Sequence, residues 1–250
     1  MEIKSTYFIV EPEDVNGDRF DIKGEEAKHL AKVMRVSKGD MFYAIDGKGL
    51  RYRAVVDTVG REKVKVIVLN TARNINEPMC HITLAVPLMK SNIMDYALEK
   101  ATECGVYKFL PYVSENTVVE TPQGASLTRK MNRWKKIIRA AVKQSLRCRL
   151  PAIKAPVTFE QIIRNQDDYK AALLADLGRE SVNISDIELK GETSRFLLAV
   201  GPEAGFTPAE VIDARRAGFY PVKFGERRLR AETACAFFPL LLQYAIGELS

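Results

Sequence analysis

The sequence predicts an α/β protein in two parts, a β-rich module over residues 1–72 followed by a larger domain, 73–250, built on a parallel sheet. Three observations carry this. Residues before 72 fall into β-branched and aromatic runs broken by turn residues. A polar stretch with one proline, "TARNINEPM" (71–79), reads as a linker. Beyond it, short apolar runs alternate with amphipathic segments, the signature of strands covered by helices on both faces.

The elements follow in order. "MFYAIDGKGLRYRAVVDTVGREKVKVIVLN" breaks at Asp46-Gly47 and again at Gly60, as hairpins do, and "GEEAKHLAKVMRV" is a short helical stretch ahead of Lys38-Gly39-Asp40. "HITLAVPL" (81–88) is a buried strand. From Asn92 to Cys104 a helix sets Ile93, Ala97, Leu98, Ala101 and Cys104 on one face, and Gly105 stops it. "YKFLPYV" is the next strand, and a long basic helix spans approximately Leu127 to Leu146. "KAALLADL", "RFLLAV" and "YPVKF" complete the sheet, with a helix over Pro208–Ala217 and an apolar one over Glu232–Leu249. No internal repeat or low-complexity tract interrupts the pattern.

Composition narrows the function classes. The 38 Lys+Arg against 32 Asp+Glu give a net charge of +6, a modest excess compatible with a polyanionic partner. Four cysteines lie far apart without a CxxC pair, and the only histidines are His29 and His81, so no metal is expected and the thiols are expected reduced. The opening "MEIKSTYFIVEPED" lacks the apolar core of a signal peptide, and no apolar run approaches membrane-spanning length. A soluble, cytoplasmic protein is expected.

Chemistry concentrates in two loops at strand ends, where open α/β sheets bind ligands. "GPEAGFT" leaves the run ending at Val200 and enters a marked helix start. There Thr207 caps, Pro208 fits the first helical position, and Glu210 completes a capping box. Gly201 and Gly205 permit backbone approach that a Cβ would prevent. No GxGxxG or GxxxxGK[ST] pattern is present, and Glu203 would repel a phosphate at that helix start. The ligand expected here is neutral or positive, which argues against NAD and ATP. The second loop, "GERRLRAET", carries Arg227, Arg228 and Arg230 between apolar flanks. Arginines there can grip phosphate or stabilise a developing oxyanion; a solvated basic turn is the plain alternative.

Together these stretches resemble a known family. "LAVGPEAGFTPAEV" and "FGERRLRAETACAFFPLLLQ" are similar to the two C-terminal motifs of the bacterial 16S ribosomal RNA (uracil-N3)-methyltransferases of the SPOUT superfamily. "KSNIMDYALEKATECGV", "RWKKIIRAAVKQSLRCRLP" and "HLAKVMRVSKGD" match three more family segments, so the resemblance spans nearly the whole chain in register. It implies a small PUA-like β-barrel for RNA and a SPOUT-type parallel-sheet domain with a C-terminal trefoil knot. It also implies a homodimer using S-adenosyl-L-methionine on 16S rRNA in the small ribosomal subunit. A sulfonium donor without phosphate answers the question posed by Glu203. By the match, Leu198, Gly201, Glu203, Gly205, Phe224, Gly225, Leu229, Arg230 and Thr233 line the cofactor pocket. Two residues depart from the family pattern: Ala204 replaces the third glycine of GPEGG, and Ala231 the first threonine of LRTETA. The first puts cofactor affinity in question if position 204 needs a positive φ.

Within that resemblance, Arg230 is the candidate for stabilising charge on the uracil. Glu232 is the candidate base, with helix capping or proton loss to solvent as alternatives. Lys130, Arg133, Lys136 and Arg139 along the basic helix, with Arg147 and Arg149 beyond it, are candidate RNA contacts by that match, with a solvated basic helix face as the alternative; Arg227 and Arg228 are candidates too. His29 and Arg35 fall in the N-terminal motif, His29 as a structural or RNA-contacting residue. The final helix is apolar over more than one face through Phe237, Phe238, Leu240, Leu241, Leu242, Tyr244, Ala245 and Ile246, which predicts a dimer, with full burial within one subunit as the rival explanation. Alternatives from other classes are a SPOUT enzyme with another RNA target or ribose 2′-O specificity, and an inactive RNA-binding assembly factor.

Overall fold

Alternating burial along the first strands reflects a sheet with one face on a core. The computed structural model describes residues 2–166, 168–187, 189 and 194–249. Its chain divides into two compact units, residues 1–77 with 139–150, and residues 78–138 with 151–250.

The first unit holds β1 (Glu2–Ile9), β2 (Val15–Asn16), β3 (Arg19–Lys23), β4 (Met41–Ile45), β5 (Leu50–Val59) and β6 (Lys63–Arg73), arranged as a six-stranded sheet in the order β1-β4-β5-β6-β3-β2. β1 and β4 are parallel and the other pairs antiparallel, with the β4–β5 and β5–β6 hairpins turning at the positions Gly47 and Gly60 mark. Phe8, Phe20, Ile22, Leu30, Phe42 and Val66 form its core. β6 runs to Arg73, paired with Leu50, so the first residues of the expected linker are strand. The helical stretch is irregular: α1 (Gly24–Lys28) passes into a π-helical turn, His29–Val33, and Arg35 leaves it at a φ of +52°.

In the second unit, β7 (His81–Pro87) is followed by α2 (Ser91–Glu103), β8 (Lys108–Val113), and α3 (Gly124–Gln144), whose last turns belong to the first unit. β9 (Ala152–Ile153), β10 (Val157–Thr158), α4 (Phe159–Arg164), β11 (Ala171–Ala175) and β12 (Val182–Asn183) come next. β13 (Arg195–Val200), α5 (Pro208–Arg216), β14 (Phe219–Lys223) and α6 (Ala231–Ala245) complete the chain. The strands form a parallel sheet in the order β10-β8-β7-β13-β11-β14-β12, with β9 beside β8. Its central strands are buried nearly throughout, which is why β7, β11 and β13 read as continuous apolar runs rather than alternating ones.

Helix ends explain where sequence-based boundaries shift. At the end of α2, Gly105 has a φ of +90°, and Val106 N–H reaches back to Ala101 C=O at 3.1 Å. A Cβ on Gly105 would also lie 2.5 Å from Pro78 Cγ, so glycine is required twice over. The basic helix α3 starts three residues before the expected Leu127 and stops at Gln144. Leu146 adopts a φ of +58°, and Arg147 N–H bonds Val142 C=O at 3.1 Å, the same closing motif built on a non-glycine residue. α6 ends at Ala245 rather than running to Leu249, with Gly247 at a φ of +84° just beyond. No helix among the described residues is long and apolar enough to cross a membrane.

Candidate active site

The chain visits β11, β13 and β14 in that order, yet in space β11 lies between the other two. The connections therefore reverse direction at β11, and a crevice opens at the carboxyl ends of these strands. A cavity of about 410 Å³ occupies it, lined from Ala175–Leu177, Val200–Phe206, Val222–Phe224, Arg227–Leu229, Ala231 and Ala234. That volume suits one small organic ligand.

The loop after β13 is braced from behind. Phe206 stacks near Tyr112 and packs on Phe159 at 4.8 Å between ring centroids. Tyr112 Oη donates to Val200 C=O at 2.5 Å, and Asn116 Nδ2 donates to Gly205 C=O at 2.9 Å. Burial pushes the Tyr112 phenol well above its ordinary pKa, so it stays a donor. A Cβ on Gly201 would sit 3.1 Å from the Phe206 ring, whereas one on Gly205 (φ +83°) would meet nothing within 4 Å. Gly201 therefore serves packing and Gly205 backbone conformation. Gly201→Ala is expected to displace Phe206 at a cost of about 1–3 kcal/mol, read as a lowered melting temperature. Ala204 is not among the residues with positive φ, so its methyl group is accommodated without strain.

The capping box is present as expected. Glu210 N–H bonds Thr207 Oγ1 at 3.2 Å, and Glu210 Oε2 accepts from Thr207 N–H at 2.9 Å. Its other oxygen accepts from Glu115 N–H at 3.1 Å, and the residue is buried. The N-terminus of α5 thus already holds a carboxylate, and a ligand phosphate would have to displace it. The phosphate-free ligand inferred from Glu203 has this second physical reason.

In the second loop, Phe224 packs edge-on against Phe238 at 4.7 Å, and Lys223 pairs with Glu226 at 2.7 Å. That pairing holds the Glu226 carboxyl below its ordinary pKa. Arg228 Nη2 donates to Glu203 C=O at 2.9 Å, joining the two loops. Gly225 has a φ of +82°, which only glycine adopts readily.

Of the residues expected at the cofactor, Gly201, Glu203, Gly205, Phe224 and Leu229 line the cavity, whereas Leu198, Gly225, Arg230 and Thr233 do not. Leu198 is fully buried in the sheet. Arg230 is the N-cap residue of α6, its side chain 87% exposed and 3.9 Å from the Glu232 carboxylate in the first turn. Arg227 and Arg228, expected at RNA, are lining residues. The lining residues that sequence reasoning missed include Asp176, Leu177, Phe206, Val222, Lys223 and Ala234; Asp176, the last polar residue before the glycine of "ADLGRES", was the available signal.

The candidate RNA residues divide similarly. Arg35 is exposed, and His29 is half-buried with its ring 5.7 Å from that of Phe8. Arg133 is largely exposed and pairs with Asp95 beside a shallow hollow shared with Arg129, Asn132 and Lys136. Arg139 lies 3.6 Å from Glu11, and Arg149 bonds Asn74 Oδ1 at 2.9 and 3.1 Å. Arg147 corrects the sequence reading. It is 2% exposed, with Nη2 2.7 Å and Nε 3.2 Å from Glu77 Oε2. The other Glu77 oxygen accepts the N–H groups of Cys148 and Arg149, each at 2.8 Å. A guanidinium enclosed this way cannot reach a phosphate; it fastens the segment after α3 inside its unit. Among the described residues no group of three or more His, Cys, Asp or Glu side chains is arranged to hold a metal ion.

Comparison with known proteins agrees with this geometry. A family model described as "RNA methyltransferase domain" matches residues 76–243, and one described as "RNA methyltransferase PUA domain" matches 22–69. The chain is 31% identical to a ribosomal RNA small subunit methyltransferase E of Synechocystis, over 90% of this chain and 73% of the relative. It is 28% identical to the protein of that name from Bacillus subtilis, over 92% of this chain and 89% of the relative. Among solved structures, the ribosomal RNA small subunit methyltransferase E of Neisseria gonorrhoeae, bound to S-adenosyl methionine, superposes with a TM-score of 0.87 at 26% identity. The superposition covers 99% of this chain and all of that one. The chain belongs to the RNA methyltransferase family, within the group of the ribosomal RNA small subunit methyltransferase E proteins.

Proposed function

We propose that this protein transfers the methyl group of S-adenosyl-L-methionine to N3 of a specific uridine in 16S rRNA of the small ribosomal subunit. The observation that carries the donor is the cavity at the ends of β11, β13 and β14. Asp176, Glu203 and several apolar side chains line it together with Lys223, Arg227 and Arg228. Of these cations Lys223 is paired with Glu226 and Arg228 is bonded to Glu203 C=O, and the adjoining helix N-terminus is already filled by Glu210. Such a site suits a nucleoside with a positive centre and no phosphate. A thermal shift tests it. At 100 times Kd, S-adenosylmethionine or S-adenosylhomocysteine should add about 2.7 kcal/mol, and NAD nothing. Stabilisation by NAD alone would contradict the assignment.

Uracil N3–H is a weakly acidic imide hidden in base pairs, so the base must be unpaired, N3 deprotonated, and charge on O2 or O4 stabilised. The bound cofactor supplies an electrophilic methyl group. Arg230, exposed at the start of α6, holds the developing charge, and Glu232 beside it is the candidate base. Glu232 also lies in the first turn of α6, where a carboxylate favours the helix. Glu232→Gln separates the roles: a base lowers the rate at unchanged melting temperature, whereas a capping group lowers the melting temperature alone.

The division of labour is a PUA-like barrel, 1–72, for RNA and a SPOUT methyltransferase domain, 73–250, with its C-terminus in a trefoil knot. Exposed Arg35, Arg133 and Arg227, with Arg139, Arg149 and His29, are the proposed RNA contacts. Phe237 and Tyr244, 53% and 73% exposed on α6, leave an apolar stripe that a second copy of the chain would cover, so the working form is a homodimer. A ribosomal substrate implies the cytoplasm. Arg228 serves the cofactor loops first. Removing its bond to Glu203 C=O in Arg228→Ala should weaken S-adenosylhomocysteine binding a few-fold, up to about tenfold, by calorimetry. Unchanged affinity would return Arg228 to a pure RNA role.

A further inference from the structure

The loop after β11 carries a carboxylate outside both sequence motifs. Asp176 follows the last residue of the strand, its N–H held by Val222 C=O at 3.0 Å. Asp176 Oδ2 accepts from Gly178 N–H at 3.0 Å and from Ser181 Oγ at 3.2 Å. A Cβ on Gly178 would lie 2.6 Å from that oxygen, so glycine lets the loop wrap the carboxylate closely. The side chain is therefore fixed by its own loop. Among the described residues Oδ1 has no hydrogen-bond partner and no cation forms an ion pair with Asp176, although Arg227 and Lys223 line the same cavity. A fixed carboxylate with one oxygen uncommitted, at the rim of a ligand cavity, is an acceptor awaiting donors.

The surroundings decide which donors. Leu177, next in the chain, and Val222, whose C=O holds the Asp176 N–H, are lining residues, and with Phe224 they offer apolar surface to an uncharged ring system. The charged amino-acid half of the cofactor is better matched by Glu203, Arg227 and Arg228, which belong to the loops after β13 and β14. A vicinal diol presents two O–H donors to one carboxylate, and a strand-end carboxylate receives ribose in this manner in other nucleoside sites. We propose that Asp176 accepts hydrogen bonds from the ribose hydroxyls of S-adenosylmethionine and so fixes the nucleoside half of the donor. The inference rests on the methyltransferase reading above.

Calorimetry on the full chain tests it with two probes that share the ribose but differ in the amino-acid portion, S-adenosylhomocysteine and 5′-methylthioadenosine. Asp176→Asn keeps an acceptor for Gly178 and Ser181 while removing the charge, so melting temperature should hold. Affinity for both probes should fall by the same factor, roughly tenfold to a hundredfold. Ser181→Ala releases one tie to Oδ2 without touching the cavity lining and should weaken both by about two- to fivefold; it decides the matter if Asp176→Asn misfolds. Unchanged affinity in folded variants overturns the proposal. A loss confined to S-adenosylhomocysteine also overturns it, because the partner would then be the ammonium group. Failure of the unaltered protein to bind either probe overturns the methyltransferase reading, and this inference with it.

Discussion

Arg230→Ala is expected to slow single-turnover methylation of purified small subunits by about 10²–10³-fold, the cost of removing one oxyanion donor. Folding should be indifferent, because the side chain is 87% exposed and its nearest charged partner, Glu232, lies 3.9 Å away. Exposed pairs of this kind contribute about 0–1 kcal/mol. Cofactor affinity should also hold, since Arg230 does not line the cavity that Leu229 and Ala231 on either side of it do. Arg230→Lys should recover only part of the rate, because an ammonium lacks the planar fork. Near-normal single-turnover rates in Arg230→Ala would remove the residue from the mechanism. A loss of cofactor binding with intact folding would make it a pocket residue instead.

Arg147→Ala should act on stability. The variant leaves Glu77 buried without its cation, which costs about 3–5 kcal/mol for a buried pair broken from one side. Part of the Glu77 carboxylate would still receive the Cys148 and Arg149 N–H groups, so the site should loosen locally before it is lost. Denaturant unfolding gives the loss directly, and hydrogen exchange should locate it in residues 145–150. Folded Arg147→Ala should bind RNA with the same salt dependence as the unaltered protein. A reduced salt slope with unchanged stability would restore the phosphate role that the sequence suggested.

The contrast between these two arginines shows what the sequence could convey. Strand-forming runs such as "RFLLAV" and the Thr207–Glu210 capping box were legible because local chemistry dictates them, and the second of the two loops was legible as a basic turn. Arg147 was misread because its partner, Glu77, lies seventy positions away, a pairing that neither charge pattern nor helical spacing reveals. Asp176 was overlooked for a related reason. Its place at the cavity depends on β11 lying between β13 and β14, an arrangement set by topology and not by any motif. The ends of α3 and α6 shifted because Leu146 takes a left-handed conformation without glycine and because Gly247 closes the last helix early. Arg228 looked like a phosphate ligand in sequence, yet its bond to Glu203 C=O joins the two loops.

The central claim is the identity of the modified atom. Purified protein, S-adenosylmethionine carrying a labelled methyl group, and small subunits lacking the modification should yield labelled 3-methyluridine on nucleoside mass spectrometry of the 16S rRNA. Label recovered as a 2′-O-methylnucleoside, or no label in RNA from a protein that binds the cofactor, would contradict the account.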